Sequence, residues 1–86
     1  MSASFSYTAL NGSSQKAKFD ELVIFLEGSL ALENGWVLDR INHIPNSNTY
    51  ILFRSGPENP PGFQPSEALE ISKEQAQAYS NRLKLA

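Results

Sequence analysis

Arg40 and Arg54 are the residues of this chain best suited to recognising another molecule. Both stand at even positions of two β-prone runs, WVLDRINHI at 36–44 and TYILFRS at 49–55, together with Trp36, Tyr50 and Leu52. If the runs pair as neighbouring strands, alternation brings both guanidinium groups and the rings to one sheet face. Arginine there can grip phosphate or carboxylate in bidentate fashion and stack on a ring, so a small anionic ligand or a nucleotide would fit. Pairing of both arginines with Asp39 or nearby glutamates across an exposed sheet is the plainer alternative. His43 is the only histidine, and as a general base or metal ligand it would need a carboxylate to hold it. Asp39 shares its strand parity, but four residues of extended chain separate the two by roughly 13 Å, too far for one hydrogen bond. Asp20 with Glu21, and Glu67 with Glu70, read as solvated acids, the first pair placed where a helix start favours negative charge. GPENPPG at 56–62 lacks both the spacing and the lysine of a phosphate-binding loop. No catalytic, cofactor-binding or metal-ligating set emerges, and no enzyme activity is expected.

The elements that must position these residues follow from periodicity. FSYTA at 5–9 alternates Phe5, Tyr7 and Ala9 with polar neighbours, the pattern of a half-buried strand. After the turn-forming NGSS, Phe19, Leu22, Val23, Leu26 and Leu30 fall at i, i+3, i+4, i+7 and i+11, which predicts a helix over 15–33 ending at Asn34-Gly35. Ile24, Phe25 and Leu32 lie off that stripe. The runs at 36–44 and 49–55, separated by PNSN, read as an antiparallel hairpin whose faces both carry apolar residues. Trp36, opening the first arm, is expected in the core. ALEIS at 68–72 offers a short further strand, and Ser72 with Gln75 forms a capping box for a second helix with Ala76, Tyr79 and Leu83 on one side. The expected fold is α+β, a small antiparallel sheet of three to four strands with two helices in the order β-α-β-β-(β)-α. Residues 1–86 make a single domain: a strand-helix-hairpin core at 1–55, a proline-rich loop at 56–66, and a short strand with the C-terminal helix at 67–86.

Part of this order carries a resemblance. The stretch ENGWVLDRINHIPNSNTYILFRS at 33–55, with the segment before it, is similar to a family of small bacterial proteins known only as a domain of unknown function. Gly35-Trp36 and the closing Phe53-Arg54 occupy the family's Gly-Trp and Phe-Arg positions. The resemblance spans residues 5–55 and implies a strand-helix-strand-turn-strand core. It brings no activity, cofactor or site residue. The proline-rich loop and the capped helix are additions to that pattern.

Composition narrows the function classes. The 86 residues, 41% hydrophobic and 19% charged, suit one globular domain near the low end of what a single core can stabilise. A formal charge of −2, from seven basic and nine acidic residues, makes nucleic acid an improbable partner. No apolar run approaches the ~20 residues of a membrane span, and with neither cysteine nor a signal peptide a cytoplasmic setting is expected. The loop SGPENPPGFQPS at 55–66 holds four of the five prolines, which restrict the chain before any contact forms. Phe63 near its middle either docks on a partner or tucks into the core. Surplus apolar residues on the predicted helix and both sheet faces point to an interface, and hence to a homodimer or larger symmetric assembly. The expectation is a small non-catalytic protein-binding module, of the kind bacteria and phages use as adaptors or inhibitors. Phe25, Tyr50, Arg54 and Phe63 are its candidate contacts. The alternative is an oligomeric binder that sequesters an anion or nucleotide between subunits through Arg40 and Arg54.

Overall fold

A computed structural model describes residues 3–85. They form one six-stranded mixed sheet and a single C-terminal helix: β1 (Ser4–Thr8), β2 (Ser14–Lys18), β3 (Val23–Ala31), β4 (Val37–His43), β5 (Tyr50–Ser55), β6 (Ser66–Ile71) and α1 (Lys73–Leu85). The sheet order is β2-β1-β6-β5-β4-β3. Strands β3 to β6 make an antiparallel meander, β1 joins it parallel to β6, and β2 closes a hairpin on β1.

The predicted helix over 15–33 is absent, and with it the β-α-β-β order: the capped C-terminal helix is the one α-helix among the described residues, and six strands in a mixed sheet replace the three to four antiparallel ones expected. The segment forms β2, a short 3₁₀ turn at Phe19–Glu21, and β3. The apolar stripe misleads because Leu26 and Leu30, four apart, fit a helix face and a strand face equally well. From Leu26 onward the half-buried positions are Leu26, Gly28, Leu30 and Leu32, alternating with exposed Glu27, Ser29 and Ala31. That is period two. Phe25 sits at an irregularity between Ile24 and Leu26, so it and Leu26 both pack on the core although they are neighbours in sequence. The Val-Ile-Phe run favours the strand, and a mid-segment glycine weakens the helix. Asn34 (φ 58°) and Gly35 (φ 80°), expected to end that helix, instead turn the chain from β3 into β4 in left-handed conformations, as a tight hairpin turn requires.

The remaining elements form much as their patterns indicate. β4 and β5 pair antiparallel from Val37 with Ser55 to His43 with Tyr50. The capping box closes, with Gln75 N donating to Ser72 Oγ at 3.1 Å and Ser72 N to Gln75 Oε1 at 3.0 Å. Helix α1 lies across one sheet face and completes a core of Leu38, Ile41, Tyr50, Leu52, Ile71 and Ala76, joined at its margin by Phe25, Leu26, Leu30, Leu32 and Tyr79. Gly28 receives the helix: a Cβ there would lie 2.7 Å from Leu83 Cδ2. No helix among the described residues is long and apolar enough to cross a membrane.

Candidate functional site: an aromatic cluster on the open sheet face

Register decides which side chains share a face. Leu69 faces the helix with Leu52, so its parallel partner Thr8 and the alternating Ser6 and Ser4 lie on the helix side, and Phe5 and Tyr7 project from the other. The hairpin of β1 and β2 therefore presents serine, threonine and lysine on the helix side and its rings on the opposite side. Of these, Phe5 meets Phe53 of β5 at a centroid distance of 5.3 Å. β1 and β5 flank β6 and are two strand spacings apart, about 10 Å. The rings reach each other because the open-face residues of β6 between them, Ser66 and Ala68, are short. Phe19, on the turn after β2, packs with its ring tilted against Phe5 at a centroid distance of 4.5 Å and remains 43% exposed.

Arg40 completes the cluster. Its guanidinium lies 4.3 Å above the centre of the Phe53 ring, and its Nε donates to Asn42 Oδ1 at 3.0 Å. These two contacts fix the plane of the group. No described carboxylate comes within 4 Å of it. Asp39, its neighbour, instead accepts a 2.6 Å hydrogen bond from Ser55 Oγ. The cluster lines a shallow groove of about 350 Å³ running between Phe5 and Phe19 on one side and Arg40 on the other, floored by Phe53 and Ala68. Helix α1 packs on the opposite face of the sheet.

The sequence-predicted pair Arg40 and Arg54 does not share a face. The register slips between Leu38 and Arg40, so that Arg54 opposes Leu38 while Arg40 opposes Phe53. Consecutive residues of β5 point to opposite faces, and the bulge at Asp39 therefore separates the two guanidinium groups. The same slip brings both Leu38 and Ile41 into the core, although unbroken alternation would part them. Arg54 sits 4.4 Å over the Trp36 ring on the helix side and donates from Nη2 to Glu67 Oε2 at 2.7 Å.

The four candidate contact residues also fail to form one surface. Tyr50 is 6% exposed, a core residue with Phe25 edge-on at 5.1 Å and His43 stacked at 4.4 Å. Arg54 lies four residues along β5, roughly 13 Å away. Phe63 is apart from both, 58% exposed on the proline-rich loop, and it is not tucked into the core. The loop is tied by its own hydrogen bonds: Gly56 N to Pro65 O at 2.8 Å, Asn59 N to Phe63 O at 3.0 Å and Phe63 N to Pro60 O at 2.9 Å. His43 Nε2 lies 2.7 Å from Ser47 O at the hairpin end. Among the described residues no three acidic or histidine side chains gather in a way that could hold a metal ion.

Phe5, Phe19 and Phe53 were not among the contact residues expected from sequence. The alternation FSYTA marked a half-buried strand but not which face its rings would take, because that depends on pairing with a strand some sixty residues later. No protein-family model, no curated protein and no solved structure matches the chain. The helix that the resemblance over residues 5–55 implies is not present in the described fold.

Proposed function

We propose that this chain is a non-catalytic binding module that engages another protein through the open aromatic face of its sheet. The observation that carries this reading is the ring cluster of Phe5, Phe19 and Phe53, assembled on the side of the sheet that the helix leaves bare. Clustered exposed rings in a small domain cost solvation unless a partner covers them. Aromatic residues and arginine are also the types that concentrate binding energy at interfaces. Arg40 adds a directional element, since a guanidinium already stacked and oriented loses little freedom when it meets a carboxylate. The partner surface that fits is apolar with an acidic residue at its border, as an adaptor or inhibitor would meet on its target.

Selection of a displayed random peptide library against the full chain tests this. Peptides rich in apolar and acidic residues should be enriched, and their binding should fall at least about tenfold in Phe53→Ala and Arg40→Ala. No enrichment, or peptides that bind both variants as well as the parent, would overturn the proposal. A chain in which Phe63→Ala alone abolishes binding would move the contact to the proline-rich loop.

A further inference from the structure

On the helix side of the sheet a second cleft, of about 530 Å³, opens between the end of β3, the β3–β4 turn and α1. Two guanidinium groups line it, and each is seated on an aromatic ring: Arg54 over Trp36 at 4.4 Å, and Arg82 over Tyr79 at 5.6 Å. Arg82 also donates from Nη2 to Ala31 O at 3.3 Å. No described carboxylate lies within 4 Å of it. Arg54 spends one nitrogen on Glu67, while its buried Nε has no hydrogen-bond partner among the described residues.

We propose that this cleft binds an oxyanion of the phosphate class, held between Arg54 and Arg82. The inference stands apart from the aromatic face and survives if that reading fails. Two forks approaching from different elements, one on β5 and one on α1, suit a tetrahedral dianion with three free oxygens better than a planar carboxylate, which one fork satisfies. The rings orient the arginines and do not receive the ligand: Trp36 carries Arg54, and the Gly56 backbone packs on the same indole, where a Cβ would stand 3.0 Å from Cε2 and Cζ2. A nucleobase therefore has no free indole on which to stack, and recognition falls on the phosphate group itself. Glu33 also lines the cleft, and with Glu67 on Arg54 it limits the attraction. A dissociation constant on the order of 1 mM is expected, as for two charge-assisted contacts without enclosure.

The test is a nuclear magnetic resonance titration of the full chain with sodium phosphate, ionic strength being held constant with sodium chloride. The Trp36 indole N–H and the Arg54 Nε–H signals should shift and saturate. Arg82→Gln, at an exposed helix position, should raise the apparent dissociation constant about tenfold or more, while Arg82→Lys retains part of the affinity. Arg40→Gln, on the opposite face, should change nothing. Shifts that track sodium chloride equally well, or an Arg82→Gln chain with a native spectrum that titrates like the parent, would overturn the proposal. A parallel titration with phenyl phosphate distinguishes the source: tighter binding than inorganic phosphate points to a phosphorylated molecule, and equal or weaker binding to the free ion.

Discussion

Phe53 holds two contacts at once, the Phe5 ring across β6 and the Arg40 guanidinium above its own face. Phe53→Ala should therefore separate the two halves of the groove. Because the ring is only half-buried, the loss in stability should be about 1–2 kcal/mol, below the 3–5 typical of a fully buried phenylalanine. A denaturant melt beside the peptide titration checks both quantities. Gly28 is sensitive for a different reason. Its φ of 152° disfavours any side chain, and an added Cβ meets Leu83. Gly28→Ala should lower stability by about 1–3 kcal/mol. The Leu83→Ala background relieves the clash but not the backbone strain, so a double-mutant cycle should recover only part of the loss.

Helix α1 is amphipathic over little more than Ala76, Tyr79, Ser80 and Leu83, and its start rests on the reciprocal bonds of Ser72 and Gln75. Ser72→Ala should cost about 1 kcal/mol of stability, read as a lowered denaturation midpoint with an unchanged slope. The capping box was legible from sequence because every part of it lies within four residues. So was the β4–β5 hairpin, whose arms and turn are contiguous. The segment 15–33 was not, because Leu26 and Leu30 satisfy both periods and the bulge at Phe25 adds an adjacent inward side chain that a simple strand would not show. Asn34-Gly35, read as a helix end, joins two strands instead, because the same left-handed dipeptide serves both. The candidate site was the least legible part. Arg40 was noticed, but a single bulge at Asp39 moved it to the face opposite Arg54, and nothing in alternation alone reveals a bulge. Phe5, Phe19 and Phe53 become neighbours only through strand pairing across the whole chain.

The molecule as a whole is flatter than its length suggests, with a radius of gyration of 13.2 Å against about 12 Å expected for a compact domain of this size. Replacing residues 57–64 by a short glycine-rich connection should leave the thermal midpoint within a few degrees, because the 2.8 Å bond from Gly56 N to Pro65 O closes the strand pair beneath it. The parallel seam between β1 and β6 has a further consequence, in the order of assembly. Every other strand pair joins sequence neighbours, whereas this seam brings Thr8 to Leu69 and Leu10 N to Glu70 Oε1. The meander and helix share one core, and the β1–β2 hairpin adds only polar residues on that side. The hairpin should therefore dock late in folding and open first, as a separate unit whose amides exchange with solvent well ahead of those in β4 and β5. Since Phe5 and Tyr7 ride on that unit, the aromatic groove exists only while the seam is closed. A ligand that needs the groove will slow exchange in β1 and β2 selectively, which gives binding a signature that needs no knowledge of the partner.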